Sequence, residues 1–270
     1  MLRVTQVTPL MRRITLGGPE LAGFGTGPNL KVLIPPAGEP DPQWPVDGPD
    51  GRPVWPAERG PTVRTYTVRR YDERAGELDV DFVMHGDHGV ASAWAGRAVP
   101  GDPVAVAGPG GRDFGEADWY MIAGDHTSLP VISTIVERMA PDARGHVFIE
   151  VPSAEEEQPL SPPEGVRLTW LHHGDAPAGS TTLLRDAVTA VPWPEDGERV
   201  FGWVSGESSA VRELRAYFRD ERKLHRRQYV AIGYWRRGLD EHDYHEQFDN
   251  DRDADYFRAG REERGEPTQP

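Results

Sequence analysis

The hydrophobic pattern of this 270-residue chain changes period near residue 117, and that change constrains the fold more than any single motif does. Before it, short runs alternate apolar and polar positions between frequent turns. "GELDVDFVMHG" sets Leu78, Val80, Phe82 and Met84 on one side of an extended chain. "RVTQVTPLMRRITLGG" predicts two strands joined by a turn, and "NLKVLIPP", "VRTYTVRRYD" and "DPVAVAGPGG" each predict one more. Several short strands with regular turn signals predict a sandwich or barrel. Residues 35–62 interrupt the series. They are too long and proline-rich for a hairpin, and Trp44 and Trp55 predict an ordered flap.

After residue 117, short apolar runs alternate with segments of helical spacing. "DWYMIAGD", "GHVFIEV", "VRLTWLHHG", "RVFGWVSGE" and "YVAIGYW" predict five strands. "TSLPVISTIVERMA", "TTLLRDAV" and "SSAVRELRAYFRDER" predict helices, the last with Val211, Leu214 and Phe218 on one face. Strand–helix alternation predicts a parallel sheet covered by helices. The expected organisation is therefore a β domain over residues 1–115, an α/β domain over 116–238 and an acidic tail over 239–270, read as a solvated or partly disordered end.

Composition excludes several functions. With 30 Gly and 26 Pro, the chain is rich in turns, yet eight Trp and eight Tyr supply bulk for cores. No run of about 18 apolar residues offers a membrane span. The absence of Cys removes disulfides, iron–sulfur ligation and thiol catalysis. It fits a reducing cytoplasm, as does a start without the apolar core of a signal peptide. A net charge of −14 argues against nonspecific nucleic-acid binding. Lys occurs only as Lys31 and Lys223, so Arg supplies nearly all the positive charge.

Three corners carry candidate chemistry. "AGDHTSLPVI" (residues 123–132) is a strand end, a glycine turn and a helix start, with Thr127 or Ser128 as cap and Pro130 in the first turn. Its backbone N–H groups suit a phosphate, although a plain βα turn has the same features. "VSGE" at 204–207 is a second glycine-opened corner. Two such corners favour a nucleotide crevice beyond the carboxyl ends of the strands. "HGDHGVASAWA" (85–95) opens a helix with small residues that permit close backbone approach to a pyrophosphate, or merely cap it.

These corners occur in order with two other motifs: R-x-Y-T at Arg64–Thr67, H-x-x-x-G-V-A-S-x-W-A at His85–Ala95, G-D-x-T-x-L-P at Gly124–Pro130, S-G-E at Ser205–Glu207 and G-Y-W at Gly233–Trp235. Over residues 3–238 the chain resembles the siderophore-interacting proteins, a branch of the ferredoxin-reductase-like flavoproteins. The resemblance implies an N-terminal antiparallel FAD-binding β-barrel and a C-terminal parallel-sheet α/β domain that binds NAD(P)H. It implies that Tyr66 stacks on the isoalloxazine, Thr67 bonds its reactive edge and Arg64 pairs with the pyrophosphate. An arginine fork suits phosphate oxygens and a tyrosine face suits a flat ring, so the residue chemistry agrees. Val90, Ala91 and Ser92 would cradle the pyrophosphate from the other side, ahead of Trp94, with His85 near the flavin. Gly124, Asp125, Thr127, Gly206 and Glu207 would meet the nicotinamide nucleotide, and Tyr234 and Trp235 would pack near the flavin.

The implied activity is NAD(P)H-dependent reduction of a ferric siderophore by a cytoplasmic, monomeric flavoprotein that releases Fe(II), with no stable membrane association and no protein nucleophile. Lys31 matches a basic position of the family's siderophore site. The chain departs from the pattern at a G-P-R-G corner, where Arg112 follows "GPGG", and before G-Y-W, where Val230 stands and Arg236 and Arg237 come after. A solvated surface charge is the commoner role for each of these arginines. The pairs His85/His88, His172/His173 and His242/His245 lack third ligands, so no protein-held metal is expected. Glu150, Glu155, Glu156 and Glu157 after "HVFIE" suit a free ribose hydroxyl and favour NADH, with Arg144 and Arg185 leaving NADPH open. Two other functions stay open: a flavin-dependent electron carrier serving a protein acceptor, and a siderophore carrier that merely retains FAD.

Overall fold

The computed structural model describes residues 1–251 apart from 26, 40, 51, 87–88, 195–196, 240 and 249–250. The chain divides into two compact units, Met1–Gly111 and Arg112–Pro270.

In the first unit, β1 (Arg3–Thr8) and β2 (Met11–Gly17) form a hairpin. β3 (Asn29–Ile34) follows, and the 35–62 passage contains a short pair, β4 (Val46–Asp47) and β5 (Pro53–Val54). Then come β6 (Thr62–Thr67), β7 (Arg70–Asp72), β8 (Glu77–Val83), α1 (Val90–Arg97) and β9 (Ala105–Gly110). The strands pair antiparallel in two main sheets, β1-β2-β8-β7 and β6-β3-β9. Both sheets and α1 share one core that includes Ile14, Leu30, Val32, Val80, Phe82 and Trp94. "VRTYTVRRYD", expected as one strand, breaks after Thr67, and its two halves join different sheets.

β8 shows what alternation alone conceals. Leu78, Val80 and Phe82 fill the core, yet Asp79 and Asp81 on the other face are also buried. Arginines cover them. Arg13 grips Asp81 with Nε at 2.6 Å and Nη2 at 2.7 Å, and Arg69 stands 3.8 Å from the same carboxylate. Asp79 accepts from Thr15 Oγ1 at 2.7 Å and Arg70 Nε at 3.0 Å. Paired charges of this kind tolerate burial because each oxygen has a donor.

The second unit contains β10 (Trp119–Asp125), α2 (Leu129–Arg138), β11 (Arg144–Val151), β12 (Gly165–His172), α3 (Leu183–Ala190), β13 (Val200–Glu207), α4 (Ser208–Ala216), β14 (Tyr229–Trp235) and α5 (Glu241–Phe248). The five strands form one parallel sheet in the order β12-β11-β10-β13-β14. The chain steps from β10 outward to β12, then returns to the far side of β10, so the order reverses between β10 and β13. A ligand crevice is expected beyond the carboxyl ends at such a reversal. α3 and α4 cover one face around Met121, Val188, Val204, Val211, Leu214 and Phe218.

The tail departs from its expected solvation as far as Asp251. α5 carries Tyr244, which is completely buried, and Tyr244 Oη donates to Asp251 at 2.6 Å. Composition missed this because one aromatic anchor decides the matter in an otherwise acidic segment.

The charge network of β8 yields a test. Asp81→Ala removes the buried carboxylate that Arg13 and Arg69 share on a largely dry face and should destabilise the first unit by about 3 kcal/mol, read as a lower urea midpoint at unchanged slope.

Candidate functional site

In the first unit, β6 pairs with β3 so that Leu30 faces Tyr66, Lys31 faces Thr65 and Val32 faces Arg64. Strand alternation puts Arg64 and Tyr66 on one face and Thr65 and Thr67 on the other. Tyr66 is half-buried, its ring 4.3 Å from that of Phe82 at a 42° tilt, and Phe82 in turn packs at 5.5 Å on Trp94. Lys31 Nζ donates to Thr65 Oγ1 at 2.6 Å, which puts the lysine on the face of Thr65 and Thr67. Thr67 is buried at 8% exposure.

The turn after β8 leads into α1. Gly89 precedes the helix with φ 86° and no side chain caps it, so its first N–H groups depend on another partner. Val90 is exposed, whereas Ala91 and Ser92 are buried. Ser92 Oγ accepts from His85 N–H at 3.0 Å and donates to Gly86 O at 2.8 Å. The serine thus fixes the turn, and any role toward a phosphate falls to the backbone N–H groups of 90–92.

The second unit brings its motifs together through one carboxylate. Asp125, the last residue of β10, accepts from Thr127 N at 2.9 Å and from Thr127 Oγ1 within the same turn. It also accepts from Glu207 N at 2.8 Å and from Trp235 Nε1 at 2.8 Å. The carboxyl ends of β10, β13 and β14 are therefore tied to one side chain. Desolvation pushes the Asp125 carboxyl above its usual range despite these donors. Gly206 makes the arrangement possible: its φ is 128°, and a Cβ there would stand 2.5 Å from the Asp125 carboxylate. Gly124 admits the first turn of α2, since a Cβ would meet Ser128 Cβ at 2.6 Å. Glu207 is buried and caps α4, accepting from Ser209 N at 2.6 Å, and it also accepts from Arg237 N at 3.2 Å. Asp125 thus caps the turn 126–128 that leads into α2, while Ser128 occupies the N-cap position of α2 without a capping bond from its side chain.

Beside these corners lies a cavity of about 60 Å³ lined by Asp125, Glu150, Thr181, Arg185, Glu207 and Glu213 among others. Glu150 at the end of β11 is buried and accepts from Thr181 Oγ1 at 2.7 Å, and desolvation raises its carboxyl. Arg185 is held by Asp186 at 2.9 Å and Glu213 at 3.6 Å. Thr181 was not singled out in the sequence. The "STT" ahead of "LLRDAV" signals a helix start there, but its bond to Glu150 is long-range.

The comparisons with known proteins divide the chain as the fold does. The model described as the siderophore-interacting FAD-binding domain matches residues 1–113, and the one described as the siderophore-interacting protein matches residues 117–238. The chain belongs to the siderophore-interacting protein family. It is 36% identical to the ferric vibriobactin reductase ViuB of Vibrio cholerae, over 91% of each chain. It is 31% identical to the NADPH-dependent ferric-chelate reductase of Escherichia coli, over 87% of this chain and 90% of that one. The crystal structure of a siderophore utilization protein from T. fusca superposes with a TM-score of 0.80 at 39% identity, covering 89% of this chain and 94% of that one. Membership makes the protein an FAD-dependent oxidoreductase.

The residues of this siderophore-interacting protein fit FAD. A half-buried aromatic ring, an arginine two positions before it on the same face and an uncapped helix N-terminus are the parts that a flat ring and a pyrophosphate require. Some expected ligands have other work. Trp94, only 4% exposed, supports Phe82 behind Tyr66 and belongs to the core. Arg112, expected to meet the siderophore, is buried at 7% exposure, with Nη1 donating to Tyr229 O at 2.8 Å and Nη2 to Arg226 O at 3.1 Å. It is a strut within the second unit. Arg236 lies over the ring of Phe248 at 4.1 Å, Arg237 is exposed and Tyr234 is half-buried. His126, not singled out before, pairs with buried Glu156 at 3.1 Å.

Among the described residues, no group of three His, Asp or Glu side chains could hold a metal ion, and no helix is long and apolar enough to cross a membrane. His88 and the side chains of His242 and His245 lie outside the described residues.

Asp125→Ala removes the acceptor of Glu207 N–H, Trp235 Nε1–H and Thr127 N–H together. It should destabilise the second unit by about 3 kcal/mol, measured by chemical denaturation, whereas Trp235→Phe leaves the other donors paired and should lose only about 1 kcal/mol.

Proposed function

We propose that this protein is a cytoplasmic NADH-dependent reductase of ferric siderophores, frees iron as Fe(II) and works as a monomer. The observation that carries this reading is the β6 strand. It presents Arg64 and Tyr66 on one face, and it presents Thr67 on the other, the face shared with Lys31. Two paired strands thereby carry groups for a flat, phosphorylated cofactor on β6 and, on β3, a cation for an anionic chelate. The ferric reductase names of relatives at 36% and 31% identity support the same reading.

In this reading the guanidinium of Arg64 pairs with the pyrophosphate of FAD, and the backbone N–H groups of Val90, Ala91 and Ser92 hold it from the other side. The ring of Tyr66, backed by Phe82 and Trp94, supports the flat ring system, and the Thr67 hydroxyl bonds its edge. His85 stands at the rim of the same turn. When bound, FAD accepts two electrons as hydride and returns them singly, which matches a two-electron nicotinamide donor to a one-electron Fe(III) acceptor. Lys31 offers its ammonium to the anionic siderophore, and Arg236 and Arg237 are further candidates. Iron is substrate throughout, and Fe(II) leaves because hard oxygen ligands hold it less firmly than Fe(III).

The nicotinamide nucleotide is assigned to the second unit, at Gly124, Asp125, Thr127, Gly206 and Glu207. Its preferred form is NADH. The cavity beside these corners is walled by carboxylates, and its arginine is already held by one of them, Glu213, and by neighbouring Asp186. A 2′-phosphate would enter that surround without a cation of its own.

The test is direct. Purified protein loaded with FAD should bleach on anaerobic addition of NADH, and ferric siderophore added afterwards should restore the yellow while a ferrous chelator develops colour. A requirement for an added protein carrier would point to an electron-transfer protein instead, and failure of both nucleotides to bleach the flavin would leave a siderophore carrier. Arg64→Ala should weaken FAD retention about thirtyfold, equivalent to about 2 kcal/mol. Undiminished occupancy would remove β6 from the cofactor site.

A further inference from the structure

The second unit carries an element that none of the assigned roles uses. α5 returns to the carboxyl edge of the sheet and seats Tyr244 there, completely buried. The phenol oxygen lies against Gly233 of β14, so close that a Cβ on that glycine would collide with it and would also stand 3.0 Å from the Asp251 carboxylate. Gly233 pairs with Gly206 across the β13–β14 ladder. Asp251 accepts from Tyr244 Oη and from Ser208 Oγ, and Ser208 is the first residue of α4. Arg236 completes the contact by lying over Phe248. The tail has therefore put a flat ring and a carboxylate against the very corner, Gly206–Glu207, that the proposed function gives to the nucleotide.

We infer that α5 and Asp251 form an intramolecular plug at the β13–β14 corner, and that a nicotinamide dinucleotide must displace it in order to bind. This inference rests on the reading that the second unit takes the nucleotide. Two physical arguments support it. The first is exclusion by charge: the positive end of α4 holds a carboxylate from the tail beside the buried carboxylate of Glu207, and a pyrophosphate brought to that end would meet Asp251 already there. The second is that the plug is weak enough to move. α5 is eight residues long, too short to persist as an isolated helix, so it depends on tertiary contacts, which among the described residues include the phenol ring, the two hydrogen bonds to Asp251 and one cation–π contact. Desolvation and Asp251 push the Tyr244 phenol far above its usual range, so it remains a donor at every working pH.

A plug that is closed most of the time acts as a tax on affinity. The apparent dissociation constant equals the intrinsic one divided by the open fraction, so a plug closed nine-tenths of the time raises it about tenfold.

The experiment uses FAD-loaded full chain, Tyr244→Phe, Asp251→Asn and a chain ending at Leu239. Hydrogen exchange of the tail peptide containing Tyr244 is followed by mass spectrometry with and without NAD⁺, and flavin bleaching is followed by anaerobic stopped flow over a range of NADH. Exchange in the tail should quicken when NAD⁺ binds. The NADH concentration for half-maximal bleaching should fall about tenfold in the shortened chain and by less in the two point variants, with the limiting rate unchanged. Tail exchange that slows or stays constant with NAD⁺ bound, or half-saturation equal in all chains, overturns the plug while leaving the reductase intact. If the shortened chain does not fold, the point variants decide by the same two readings. Failure of NADH and NADPH to bleach any of the chains overturns the proposed function itself, and the plug with it.

Discussion

The second unit depends on the carboxylate of Asp125. Three strands of a parallel sheet end at the same edge, and the ends of such strands have no ladder partner beyond the last pair. One side chain with two oxygens supplies acceptors to groups at three of these ends: the β10 turn, the backbone at the end of β13 and the indole at the end of β14. Desolvation pushes this carboxyl above its usual range, and the donors around it oppose that shift. The consequence for function is geometric. The corners assigned to the nucleotide are held in register with one another by this single group, as supporting contacts hold reactive groups elsewhere.

The first unit solves a related problem with different chemistry. Its four-stranded sheet buries two carboxylates of β8 under arginines drawn from β2, β7 and the link between β6 and β7. That link is where the chain passes from one sheet to the other, directly after Thr67. Arg69 in the link is drawn to Asp81 and its backbone N–H donates to Asp79 O at 3.0 Å, so the end of β6 is fastened to the other sheet by charge as well as by a backbone hydrogen bond.

The two-unit architecture was legible because it rests on period. Alternating runs became antiparallel strands, and Val211, Leu214 and Phe218 became the buried stripe of α4 and the turn after it. The corner motifs were legible as corners, since Gly124 and Gly206 stand where side chains would collide. What could not be read was long-range pairing of polar groups. The motif marks Asp125 as part of a corner but not its partners, which lie up to 110 residues away and join three strand ends. Arg112 was taken as a surface cation, whereas carbonyls of residues 226 and 229 bury it. Asp79 and Asp81 followed the polar phase of their strand yet are dry, because arginines distant in sequence cover them. Tyr244 was hidden by the acidity of its neighbours. In each case local composition set the expectation and a tertiary partner overrode it.

The closeness of Asp125 to Gly206 also limits how this chain can vary. A side chain at 206 would evict the carboxylate and need a left-handed backbone, while loss of the carboxylate would leave the bare glycine spanning a gap it was there to fill. Neither position can drift alone without harm. A descendant that changes one should be found to have changed the other, and a library randomised at both should recover them as a linked pair.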